Sequence, residues 1–323
     1  MLRFLGGKTQ NHSARYEGVL GTSLEIVVVL GRISAGAEAE KRILDEIDRL
    51  ERIFSVYQPE SELNQWQATR GIAVPVSHDL STVLAEAEQW RERSNGAFLP
   101  IVESLTRAWR DKESGKSTLE MPHIEPALPM WEVDIKASTA TRLTAHPASL
   151  NAIAKGYIID RAVEVAREVE GVRQVMINIG GDLRHWGAGA ARVDVSDPAN
   201  AADNAPPLCT VKISNQAIAT SGGYRRGFSV DGNWYSHIFD PAVSKPAPKL
   251  RVSSLIAETA MRADILATIL GVLRPNDGLA FIEGLDSVGA LVVDSAGNCN
   301  QNAYWDSRLV TEKPKRASLR TKK

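Results

Sequence analysis

Strand-like and helix-like runs follow one another along this chain without regular alternation, and that order narrows the folds open to it. Leu24-Glu-Ile-Val-Val-Val-Leu30 is rich in β-branched residues and predicts a buried strand. Beyond it, Ile43, Ile47, Leu50 and Phe54 recur at helical spacing with charges between them, which predicts an amphipathic helix. A second helix is expected over roughly Ser81 to Ser94 and a third over 152–169, with a strand over Gln174–Ile179 closing on Gly180-Gly181. Further strands are expected near 208–220 and 227–239, then a long helix from Ser253 to Leu273 and a late buried strand from Val288 to Val293. Residues 111–148 carry scattered proline and charge and are expected to run over the surface, while Asp197 to Pro207 reads as a loop. A doubly wound sheet demands strict strand–helix alternation. This chain lacks it, so the expected class is α+β, with mixed, mostly antiparallel sheets and packed helices.

Composition excludes several partners. A formal net charge of −1 over 323 residues supplies no field that would draw the chain to nucleic acid or anionic lipid. The one strong charge run is the basic tail at 311–323, which reads as a disordered terminus, and the length before it suffices for one large domain or two. Cys209 and Cys299 are isolated, so neither a disulfide framework nor a thiolate metal site of the CxxC kind is expected. No apolar run reaches the roughly 18 residues that span a bilayer. The opening residues Met1 to Lys8 are too short and polar for a secretory signal, so the expectation is either the cytoplasm or a leader missing from this chain.

Several stretches are suited to chemistry. Asp264 and Thr268 lie four residues apart in Ala263-Asp-Ile-Leu-Ala-Thr268, on one helical face and one turn from each other. Two hard oxygens so held suit magnesium, whose other ligands would be a backbone carbonyl, water or phosphate. Ala152-Ile-Ala-Lys-Gly-Tyr157 stands where a loop enters a helix, and first-turn amides together with Lys155 attract an anion. Asn178-Ile-Gly-Gly-Asp182 ends a strand on two glycines, where a backbone can approach a ligand closely. Ala219-Thr-Ser-Gly-Gly-Tyr-Arg-Arg226 offers hydroxyls and paired arginines for phosphate. It has neither the Walker lysine pattern nor a GxGxxG between strand and helix, so neither standard nucleotide fold is supported. His237 sits close before an acid in His237-Ile-Phe-Asp-Pro241. Each stretch also has an ordinary structural reading: a solvated helical aspartate, a surface lysine, a tight turn, a strand histidine.

The order of these pieces is more specific than any one of them. Leu20-Gly-Thr22, Phe54-Ser-Val-Tyr57 with Ser61-Glu-Leu-Asn64, Gly96-Ala-Phe98 with Trp109, Ala154-Lys-Gly-Tyr157 with Asp160, Asn178 to Asp182, Ala219-Thr-Ser-Gly222, His237 to Pro241 and Ala263 to Thr268 follow one another in one chain. That series, from about Gly18 to Leu273, resembles the FAD:protein FMN transferase family, often called ApbE. The resemblance implies magnesium, FAD as substrate, and transfer of FMN to a threonine of an acceptor protein through a phosphoester, with AMP released. It implies a metal held by Asp264, Thr268 and the backbone carbonyl of Ala152. It places flavin-binding positions at Tyr57, Ala97, Phe98, Lys155 and Ile238, and at His237 the base that deprotonates the acceptor hydroxyl. Members of the family often act after export.

The chain departs from the family pattern at three places that would remove polar contacts to the flavin or its adenosine. Leu99 and Ile101 replace an aspartate and a threonine, and Ser149 replaces another aspartate. Two other readings therefore stand beside transfer. One is an FAD pyrophosphatase giving FMN and AMP, and the other is a flavin-binding protein without turnover.

Overall fold

The computed structural model describes residues 3–4, 10–31, 35–116, 122–200, 205–223, 226–248 and 252–310. Its centre is an eight-stranded sheet, and the side-chain alternation of its strands explains the layers on either side. In spatial order the strands are Cys299–Gln301, Gly289–Val293, Val252–Ala257, Ala217–Gly222, Asp182–Gly187, Val172–Ile179, Thr22–Leu30 and Gln10–Val19. Every neighbouring pair is antiparallel, as the α+β class requires. Successive residues of a strand face opposite ways. Leu24, Ile26, Ile177, Ala219, Leu255 and Val292 therefore enter one core, while Met176, Ile218, Ile256 and Leu291 enter another. Apolar runs such as Val27 to Leu30 are continuous because the sheet is covered on both sides.

Helices cover the first face. Ala35–Phe54 is amphipathic: Ala39, Ile43, Ile47, Leu50 and Phe54 are buried, and Lys41–Asp45 and Glu38–Arg42 pair on its outer side at 2.6 and 2.7 Å. It packs on the helix Ala154–Arg167, which in turn lies against the helix Ala260–Val272 and the sheet. The last of these is apolar nearly all round, with Ala263, Ile265, Leu266, Ala267, Ile269 and Leu270 buried, as befits an interior helix. The second face is covered by a small sheet of Arg3–Phe4, Ala191–Val195 and Cys209–Ile213, with the Trp305 side chain fully buried beneath it. No helix among the described residues is long and apolar enough to cross a membrane.

Polar side chains interrupt the apolar sheet at a few paired points. Thr220 and Ser254 are register partners, and their hydroxyls meet at 2.8 Å. The Ser253 hydroxyl donates to the Ala267 carbonyl at 2.6 Å, tying the strand to the interior helix.

Two expectations are corrected. The stretch from Ser253 to Leu273 is not one helix. Val252–Ala257 is a fully buried strand hydrogen-bonded on both sides, and the helix begins only at Ala260. Ladder pairing and burial decide the matter, since Ser-Ser-Leu-Ile-Ala has no strong preference of its own. The sequence signal for the boundary is Thr259, whose hydroxyl accepts from Arg262 N at 3.2 Å as an N-cap. The surface excursion at 111–148 is also only partly one. Trp131–Asp134 and Thr139–Arg142 form a three-stranded sheet with Ala73–Pro75, and Ile124, Met130, Trp131 and Ala140 are buried. The Trp131 indole donates to Leu84 O at 2.7 Å and meets Trp66 edge-on. The basic tail at 311–323, expected to be disordered, lies outside the described residues.

Candidate active site

The charged stretches converge between the two inner helices and the strand ends beside them. Gly180 and Gly181 both have positive φ, 61° and 101°, and turn the chain from one strand into the next. The turn places Asp182 at the head of its strand, nearly solvent-free, where Oδ1 accepts from Thr220 N at 3.2 Å and Oδ2 pairs with the Lys155 ammonium. Lys155 is the second residue of its helix, which has no side-chain N-cap; the Ala154 amide bonds to Leu150 O at 2.7 Å and the Gly156 amide reaches Asp264. Burial alone would depress the Lys155 pKa, but the charges of Asp182 and Asp264 outweigh it and hold the amine above its ordinary value.

Asp264 is the anomaly of the interior helix. It is 7% exposed, and its Oδ2 has no hydrogen-bond partner. Burial, reinforced by the nearby Asp182 charge, pushes its carboxyl up to about 7, against the pull of Lys155 and a hydrogen bond from Gly156 N–H. A carboxylate so placed is costly unless a cation joins it. Thr268 follows one turn later and is half-buried, and Ala152 is half-buried in the turn that enters the Lys155 helix. Asp264, the Thr268 hydroxyl and a main-chain carbonyl are all hard oxygen donors, the chemistry that suits magnesium, and Asp264 Oδ2 has no hydrogen-bond partner. Among the described residues no three His, Cys, Asp or Glu side chains cluster as metal ligands.

His237 approaches from the other side, just after the hairpin Gly227–Val230 and Asn233–Ser236. Its backbone N–H and its Nδ1 both reach Arg226 O, at 3.3 and 3.0 Å. Donation from Nδ1–H leaves Nε2 with its lone pair free to accept a proton. Burial lowers the His237 pKa, and the Arg226 and Lys155 charges lower it further, against the Arg226 carbonyl hydrogen bond. Neutral imidazole is thereby favoured. Lys155, Asp182, Arg226, His237 and Asp264 thus share one electrostatic neighbourhood. Tyr224 and Arg225, part of the phosphate-suited stretch, lie outside the described residues.

The remaining positions differ among themselves. Tyr57 is 84% exposed, and its N–H donates to Ser55 Oγ at 3.3 Å. Ala97 and Phe98 are buried, the Phe98 ring to 1% exposure, and Phe98 N–H donates to Ser94 Oγ at 2.9 Å. Ile238 is buried beside His237, its carbonyl accepting from Ala247 N at 2.7 Å. Leu99 and Ile101 are core residues, which accounts for their apolar character. Ser149 N–H donates to Pro100 O at 2.8 Å. A cavity of about 260 Å³ opens beside the Tyr57 segment, lined by Val56, Asn64, Gln67, Arg107, Arg142 and Ala148. Asp182, given no role of its own by sequence reasoning, is central to the cluster, and its signal was an acid directly after two glycines at a strand end.

Known proteins resemble this chain in sequence and in fold. The FAD:protein FMN transferase of Treponema pallidum is 26% identical, over 95% of this chain and 94% of its own length. That of Vibrio cholerae is 29% identical over 77% and 78%. The crystal structure of the ApbE protein from Thermotoga maritima superposes with a TM-score of 0.79 at 25% identity, covering 94% of this chain and all of the other. The flavinyl transferase ApbE of Pseudomonas stutzeri, at 22% identity and a TM-score of 0.74, shares the fold. The ApbE family profile matches residues 20–292, and the chain belongs to the ApbE family.

Proposed function

We propose that this chain is an FAD:protein FMN transferase, moving FMN from FAD to a threonine hydroxyl of an acceptor protein and releasing AMP in a magnesium-dependent reaction. The names of its relatives support the transferase reading. The observation that carries the site assignment is the buried Asp264 carboxylate with an unpartnered oxygen, set beside Lys155 and within the field of His237.

In this reading Asp264, Thr268 and the Ala152 carbonyl hold the metal, which when bound offsets charge on the phosphate oxygens. His237 Nε2 takes the proton of the acceptor hydroxyl as its oxygen attacks the FMN phosphorus, and the bond from that phosphorus to the AMP oxygen breaks. A threonine hydroxyl is a poor nucleophile at neutral pH, so a neutral imidazole is worth about 10² to 10⁴ in rate. Lys155 binds the pyrophosphate and takes up its charge. Tyr57, Ala97, Phe98 and Ile238 form the flavin side. The catalytic domain spans 18–310.

Incubation with FAD and magnesium, with and without a threonine-bearing acceptor, tests the proposal. Flavin fluorescence that stays with the acceptor on a denaturing gel is the expected result. Free FMN and AMP alone would mean hydrolysis, and bound flavin without AMP would mean a binding protein.

A further inference from the structure

Asp160 is buried and unused by the chemistry just described. It sits on the helix Ala154–Arg167, yet its carboxylate accepts hydrogen bonds from the first two amides of the other inner helix. Oδ1 takes Ala260 N at 2.8 Å and Oδ2 takes Met261 N at 3.0 Å, while Arg184 donates to Oδ1 at 2.7 Å. The third amide, Arg262 N, is already capped by Thr259. A helix with its own N-cap does not need a second acceptor, 100 residues away in sequence, merely to begin. Such a bond does locate one helix against the other.

A second contact one turn away bears this out. Gly156 and Asp160 share a face of their helix, and a Cβ at Gly156 would lie 2.5 Å from the Ala260 carbonyl oxygen. The missing side chain brings the backbones together and lets Gly156 N–H reach Asp264. The helices are thus joined at two levels, Asp160 to Ala260 and Met261, and Gly156 to Asp264. The donors assigned to the metal are divided between the same helices, Ala152 at the foot of one and Asp264 and Thr268 on the other. Ligand sets tolerate displacements of only about 0.5 Å.

We propose that Asp160 is a positioning residue for the metal site, setting the height of the Asp264 helix against the Lys155 helix. The proposal rests on the magnesium reading above. Its test uses the full chain and Mn²⁺ as a spectroscopic stand-in for magnesium, titrated by electron paramagnetic resonance without FAD. Asp160→Ala should keep the native circular dichroism spectrum and weaken Mn²⁺ binding about tenfold or more. Asp160→Asn, which retains one acceptor, should weaken it less, and FAD affinity in chelator should not change for either. Thr259→Ala, which removes a cap without touching the link between helices, should lower Tm and leave Mn²⁺ affinity intact. Unchanged Mn²⁺ affinity in folded Asp160→Ala or Asp160→Asn, or equal weakening in Thr259→Ala, would overturn the positioning role. Wild-type Mn²⁺ affinity in Asp264→Ala would instead overturn the magnesium reading itself.

Discussion

The two halves of the proposed site are built differently. Asp264, Thr268 and Lys155 stand on helices of 13 and 14 residues packed against a central sheet, with nearly every neighbour buried. His237 stands on a link between a hairpin of two four-residue strands and the two-residue strands Phe239–Asp240 and Lys245–Pro246. Its hairpin leans on the helix Glu103–Glu113 through Trp109, whose ring lies 4.7 Å from that of Tyr235, and through Glu113, which accepts from Ser229 N at 2.7 Å. Rigid, doubly anchored elements suit ion binding, where small displacements cost affinity. Short strands with few neighbours open more readily. In the proposed reaction, that suits the side on which a protein acceptor arrives and leaves.

Removing Asp264 should do the most damage to this division. Asp264→Ala is expected to lower magnesium-dependent turnover about 10³-fold and to abolish tight Mn²⁺ binding. Wild-type rates in that variant would place the metal elsewhere. His237→Ala should cost about 10²-fold in transfer while FAD affinity stays as in the wild type. A parallel loss of FAD binding would make His237 a binding residue rather than a base. Hydrogen exchange reads the contrast directly: amides of Ala263 to Leu270 should be protected at least about tenfold more than those of Phe228 to Ser236. Equal protection would remove the distinction between the halves.

The pH profile should move least. The His237 pKa is lowered, and only neutral imidazole accepts a proton, so the rate should fall as pH drops through a value below the ordinary 6.5. At saturating magnesium, which keeps Asp264 ionised, the change between pH 6.5 and 7.5 should be less than about twofold. A profile still climbing steeply above pH 7 would contradict the buried, Nδ1-donating geometry.

Much of this was legible along the chain, for reasons that differ by element. The irregular order of strands and helices gave the α+β class, and the spacing of Asp264 and Thr268 placed two oxygens on one helical face because that relation is local. The strand Val252–Ala257 was missed because its conformation is imposed by neighbours on both sides. Trp131 was assigned to a surface excursion because proline and charge around it outweighed the aromatic signal. The Lys155–Asp182 pair and the Asp160 link escaped for another reason. Each joins residues far apart in sequence, and no spacing rule reports which of several acids a given amide or ammonium will meet.

The doubly covered sheet has a consequence for how the molecule assembles. Where one face is wet, a strand that slides by a single residue turns its oily side to water, and that penalty enforces alignment. Here both sides of the inner strands are oily, so sliding incurs much less of that penalty. Alignment must then be enforced by the few groups that cannot be left alone in hydrocarbon: the buried Ser254 and Ser253 hydroxyls, and Asp182 waiting for Thr220 N. These act as keys in an otherwise featureless lock, and they cluster at the end of the sheet where the chemistry is set.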